Sequence, residues 1–102
     1  MRIAVAATKK DKSADVSYYG GRAPFFLIFD EEGNLLDSFP NPYADIERHA
    51  GYEVCKMLIE KGVDILVAGL FGPTMINELS AQGIKCITKS GSARDAVLQL
   101  NL

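Results

Sequence analysis

Gly62-Val63-Asp64-Ile65-Leu66-Val67-Ala68-Gly69-Leu70-Phe71-Gly72-Pro73 is the stretch on which the fold turns. Its centre, Asp64-Ile65-Leu66-Val67-Ala68, carries a continuous apolar run, the mark of a strand covered on both faces. Gly62 is the expected left-handed stop of a helix that comes before it. After it, Gly69-Leu70-Phe71-Gly72 reads as a loop, and Pro73 suits the first position of a new helix. That helix runs to Gln82 with Gly83 as its stop, and Ile84-Lys85-Cys86-Ile87 is the next short strand. Ser90-Gly91-Ser92 leads into a last helix, with Ser92 as cap and Asp95 well placed for the helix dipole. Ala96, Val97 and Leu100 supply its apolar face. A strand-helix-strand-helix order demands parallel strands joined by right-handed crossovers.

Upstream, Ala50, Val54, Met57, Leu58 and Lys61 follow helical spacing and predict a helix from about Ile46 to Lys61. Ile3 to Ala7 reads as a central strand, followed by a polar loop from Thr8 to Asp15. Pro24 to Asp30 is a second strand, Glu31-Glu32-Gly33-Asn34 a turn, and Leu35 to Phe39 the returning hairpin partner. Pro40-Asn41-Pro42 ends it, because each proline removes a ladder donor. The expectation is one α/β domain over residues 1–102. It has a five-stranded mixed sheet with an antiparallel strand from the N-terminal hairpin, and three flanking helices.

Composition narrows the function. Of 102 residues, 48% are hydrophobic and 24% charged, and the net charge of −2 is interspersed. No basic stripe offers a nucleic-acid surface, no signal peptide is visible, and nothing approaches the ~18 apolar residues of a membrane span. Cys55 and Cys86 are too far apart for a CxxC motif and read as buried thiols in a reducing cytosol.

Two loops carry candidate chemistry. In Val16-Ser17-Tyr18-Tyr19-Gly20-Gly21-Arg22-Ala23-Pro24-Phe25-Phe26, paired glycines let something approach the main chain and Arg22 adds a planar cationic fork. Gly69-Leu70-Phe71-Gly72-Pro73-Thr74 follows a buried strand and opens a helix, so its backbone N–H groups form either an anion cradle or a tight connection needing glycine. His49, the single histidine, is either a ligand near a helix start or a solvated side chain, and six residues of spacing put it on a different helix face from Cys55. The first strand carries no acid for a nuclease-type metal pair, and no Ser/His/Asp set can be assembled, so the chain is read as a non-enzyme.

Together, Met1-Arg2-Ile3-Ala4-Val5, Val16-Ser17, Gly21-Arg22-Ala23-Pro24-Phe25-Phe26, Gly62 to Gly69, Gly72-Pro73 and Gly83-Ile84-Lys85 resemble the dinitrogenase iron-molybdenum cofactor biosynthesis family, NifX-like and similar to the C-terminal domain of NifB-like proteins. The resemblance spans almost the whole chain in order. It implies a ribonuclease-H-like fold that carries or stores metal-sulfur clusters of iron-molybdenum type or a molybdenum-copper sulfide, without nuclease activity. The family loop Ser-x-His-Phe-Gly-Arg corresponds to Ser17-Tyr18-Tyr19-Gly20-Gly21-Arg22, so Tyr19 stands in place of the histidine and Gly20 in place of the phenylalanine. Tyrosine is a poor ligand for soft, sulfide-rich centres. The resemblance therefore implies a pocket of Ser17, Tyr19, Gly20, Gly21, Arg22, Gly69, Gly72 and Thr74, with His49 as the metal ligand. It would hold an anionic cluster by charge-assisted hydrogen bonds. The alternative is an interaction module that has lost the cluster and binds a small anion or a protein through Tyr18, Tyr19, Tyr43 and Phe71. Cofactor-assembly or regulatory proteins are the partners this implies.

Overall fold

The structure, a computed structural model, describes residues 1–102. The elements are β1 (Ile3–Ala7), β2 (Phe25–Phe29), β3 (Leu35–Pro40), α1 (Ala50–Glu60), β4 (Ile65–Ala68), α2 (Pro73–Ala81), β5 (Lys85–Thr88) and α3 (Ala93–Leu98). They build an α/β fold on one five-stranded sheet of order β3-β2-β1-β4-β5. β1 is central and pairs parallel with β4, as β4 does with β5, while β2 runs antiparallel to both its neighbours. The mixed sheet and the three helices agree with the reading from sequence.

The uninterrupted apolar strands have the predicted cause, because each feeds two cores. Ala4 and Ala6 of β1 and Leu66 and Ala68 of β4 face one cluster with Val54 and Leu58 of α1 and Met75 and Leu79 of α2. Ile3, Val5 and Ala7, with Ile65 and Val67, face the other, which Ala93, Ala96 and Val97 of α3 cover. Strand side chains alternate faces, so a strand buried on both sides has no place for a polar residue.

Local signals placed most boundaries. Gly62 and Gly83 have φ of 70° and 75° just past α1 and α2, and Pro73 opens α2. Ser92 caps α3 by accepting the Asp95 N–H at 3.3 Å. At the hairpin, Asp30 accepts the N–H groups of Glu32 and Asn34, each at 2.9 Å. These bonds, that from the Asn34 amide first, hold the Asp30 carboxyl below its ordinary range.

One boundary differs. The periodicity predicts a helix from about Ile46, yet α1 starts at Ala50, after an irregular segment from Asn41 to His49. The reason is tertiary. Arg22 Nη1 donates to the carbonyls of Ala44 at 3.1 Å and Ile46 at 2.7 Å, and Nη2 to that of Glu47 at 3.5 Å. From the other side, Asn41 Nδ2 donates to the carbonyls of Gly21 at 3.0 Å and Ala23 at 2.9 Å. The two segments hold each other in place.

This parallel arrangement brings β1, β4 and β5 to a common carboxyl edge. The register Ala7↔Phe25↔Pro40 adds the start of β2 and the end of β3 to the same edge. Ligands in open α/β sheets collect at such an edge.

Candidate functional site

A cleft of about 470 Å³ opens at that edge. The glycine loop (Tyr19 to Arg22) forms one wall, the first turn of α1 with His49 another, and the first turn of α2 with Leu70 a third. Of the residues picked out from sequence, Tyr19, Gly20, Gly21, Arg22, His49, Gly72 and Thr74 meet here.

Ser17 and Gly69 do not line it. The Ser17 N–H bonds to Ala6 O at 2.7 Å and the Gly69 N–H to Ser17 O at 2.9 Å. Gly20 N–H continues the series to Leu70 O at 3.0 Å. These rungs pin the glycine loop beside the end of β4, so Ser17 and Gly69 support the site without facing it. A Cβ on Gly69 would stand 2.7 Å from Tyr18 Cα, which is why this position takes no side chain.

The floor explains the other glycines. Met75 is buried, and Cβ atoms on Gly20, Gly21 and Gly51 would meet its side chain at 3.5, 3.3 and 3.0 Å. Two backbone segments, the glycine loop and the first turn of α1, therefore close on one flexible thioether. Sequence reasoning singled out neither Gly51 nor Met75. The available signal was a glycine inside a helical pattern, which marks close packing.

The donors are the amides. In α1 the N–H groups of Ala50, Gly51 and Tyr52 make no hydrogen bond within the chain, and Glu53 is the first to bond, to His49 O at 3.0 Å. In α2 Pro73 has no N–H, those of Thr74 and Met75 have no partner, and Ile76 bonds Gly72 O at 3.2 Å. Neither helix has a side-chain cap. Two positive dipole ends thus share one cleft with the Arg22 guanidinium, and no carboxylate lines it. The arrangement attracts anions.

His49 is exposed and left-handed, at φ 63° and ψ 24°. That conformation costs a non-glycine residue about 1 kcal/mol. Its imidazole is the only nitrogen ligand side chain in the lining, which contains no cysteine. Cys55 is buried in α1 with Sγ 3.9 Å from Met75 O, and burial, with Cys86 second, pushes its thiol up to about 12. Burial raises the Cys86 thiol as well. Both thiols are free.

Around the mouth, Tyr18 and Tyr19 are 59% exposed and meet edge-on with ring centroids 4.9 Å apart, while Tyr52 and Leu70 are also exposed. Tyr43 and Phe71 instead pack against the core.

A family model described as dinitrogenase iron-molybdenum cofactor matches residues 1–101. Two solved structures are similar over the same span. The apo form of the orange protein from Desulfovibrio gigas is 28% identical, with TM-score 0.86, covering 94% of this chain and 82% of that one. The NMR structure of a candidate NifB protein from Thermotoga, placed in the DUF35 family, is 32% identical, with TM-score 0.77, covering 94% and 83%. No curated protein matches the sequence.

Proposed function

The chain belongs to the dinitrogenase iron-molybdenum cofactor family, and from that premise we propose that it binds and carries an anionic metal-sulfur cluster rather than transforming one. The cluster class is iron-molybdenum or a related molybdenum, iron or copper sulfide. The observation that carries this reading is the donor set: free amides from two helix ends and one guanidinium, with no carboxylate beside them. Such a set suits a cargo that presents sulfide or oxo acceptors and net negative charge. Each charge-assisted bond is roughly twice as strong as a neutral one.

The mode of holding follows from what the lining offers. Ala50, Gly51, Tyr52, Thr74 and Met75 supply N–H donors, Gly20 and Gly21 let the loop close tightly on Met75 and Gly51 at the cleft wall, and Arg22 adds charge. Thiolate coordination has no residue in this cleft, and the lone imidazole of His49 provides at most one bond to a metal. A cluster held this way keeps its own ligands and can be handed on intact. That suits a carrier in an assembly route.

The strand order, with β2 as the antiparallel member, supports the ribonuclease-H-like assignment. Two unpaired thiols fit a reducing, cytoplasmic setting, and no helix is long and apolar enough to cross a membrane. The exposed aromatics Tyr18, Tyr19 and Tyr52 at the mouth favour a protein partner on this face, one that delivers or receives the cargo, since aromatic side chains are enriched at interfaces.

Anaerobic reconstitution with molybdate and sulfide, with iron or copper added, tests the reading. The expected result is metal retained after desalting, with sulfide-to-metal charge-transfer absorption. Protein free of metal under every combination would end it.

A further inference from the structure

Arg22 stands in the cleft, but the contacts it makes are with carbonyls, and which carbonyls they are is informative. In an α-helix the N–H of residue i bonds the carbonyl of residue i−4. Extended by one turn, α1 would pair the Ala50 amide with Ile46 O and the Gly51 amide with Glu47 O. Those are two of the acceptors the guanidinium holds, at 2.7 and 3.5 Å, with Ala44 O as the third at 3.1 Å. The sequence from Ile46 onward has helical spacing, so the shorter helix is imposed from outside. A carbonyl has two lone pairs. What the arginine fixes is therefore the direction in which these groups point.

Asn41 and Tyr43 anchor the start of the segment, but the stretch from Ala44 to Glu47 has few bonds of its own. Its own backbone bonds, Ala44 N–H to Asn41 O and Ile46 N–H to Tyr43 O, are both long at 3.4 Å. Arg22 has no carboxylate partner; the ion pairs of the chain are Met1 with Glu31 and Lys61 with Asp37. At the junction, His49 takes the left-handed conformation that breaks the helix.

We infer that Arg22 is a positioning residue: by withholding the Ile46 and Glu47 carbonyls from α1, it keeps the Ala50 and Gly51 amides free for an anion in the cleft. This rests on the anion-binding reading above and explains how its donors are maintained. The guanidinium acts through the helix boundary, in addition to any direct attraction of its charge.

Amide hydrogen exchange by NMR on the intact chain, alone and with molybdate as probe, separates these roles. In Arg22→Gln, α1 should grow back to Ile46. Exchange at Ala50 and Gly51 should slow by about tenfold or more, as it does when an amide gains a helical bond. Molybdate-induced shifts at the same amides should disappear. Arg22→Lys keeps the charge but lacks the fork, so it should show the same slowing at Gly51 in milder form. It answers the question if the glutamine variant fails to fold. Adding His49→Gly to Arg22→Gln favours the left-handed break and should restore fast exchange.

The inference is overturned if Ala50 and Gly51 exchange as fast as before, or faster, in a folded variant whose Leu58 protection is unchanged. It is equally overturned if Arg22→Lys keeps full molybdate response with an unmoved boundary. Absence of any molybdate shift in the unsubstituted chain would strike the anion reading, while the exchange rates still decide the helix boundary.

Discussion

The N-terminus of α3 and those of α1 and α2 solve the same problem in opposite ways. Ser92 closes α3 with its own hydroxyl, and Asp95 sits in the first turn. α1 and α2 begin at His49 and Gly72 with no side-chain cap, and both open on the cleft. A cap is worth about 1 kcal/mol, so two ends without one leave stability unclaimed. In this fold the capped end of α3 does not line the cleft, and the uncapped ends of α1 and α2 meet there. On the proposed reading, the unsatisfied amides at those two ends are what the cargo would bond.

That contrast can be broken in several places. The largest effect is expected from Gly69→Ala, which drives a Cβ into the Tyr18 backbone, 2.7 Å from Cα and 2.9 Å from O. Backbone cannot yield as a side chain can, so a loss of about 2–3 kcal/mol is expected in urea unfolding. The same change at Gly51 meets the flexible Met75 Cγ and should cost visibly less. Equal losses would mean that the glycine loop is not pinned as described.

Ser92→Ala should cost about 1 kcal/mol and leave molybdate binding unchanged. A fall in binding would show that the α3 end is not separate from the cleft. Gly72→Asp acts in the other direction. Its backbone is already extended, at φ −72° and ψ 156°, and an added Cβ meets nothing within 4 Å. The new carboxylate should cap α2, stabilise the chain by a few tenths of a kcal/mol relative to glycine and expel the anion.

The smallest effect concerns the thiols, which belong to neither kind of helix end. Burial raises the Cys55 thiol from 9.0 to about 12, and so favours the protonated form in the folded chain. The unfolded thiol ionises first as pH rises, so stability is intact below about pH 9 and falls between there and 12. Urea midpoints across pH 7 to 10 should be flat and then decline, and Cys55→Ser should flatten part of the decline.

Sequence was most informative where the deciding interaction is local. Ser92 with Asp95, Pro73, and the stops at Gly62 and Gly83 each act within a few residues, and all were legible. The doubly buried strands were legible too, because a strand feeding two cores leaves its mark on every residue. The start of α1 was not, since Arg22 sets it from more than 20 residues away. Asn41 escaped for the same reason. It is a buried amide whose donors go to Gly21 and Ala23 and whose oxygen accepts the Tyr43 N–H at 2.9 Å. The glycine-arginine loop lines the cleft from Tyr19 to Arg22, whereas Ser17 and Gly69 are rungs that hold it. Exposed Tyr18 and Tyr19 and packed Tyr43 and Phe71 divide a set of aromatics that composition could not separate.

The central claim is that the uncapped ends of α1 and α2 hold an anionic cluster. It is tested most directly by anaerobic reconstitution of the unsubstituted chain and Gly72→Asp side by side, counting metal and sulfide per chain after desalting. The account predicts retention by the first and loss of more than nine-tenths of it by the second, with Gly72→Asp at least as stable to urea. Equal retention by both would contradict it, because a carboxylate fixed on those amides leaves no room for a second anion.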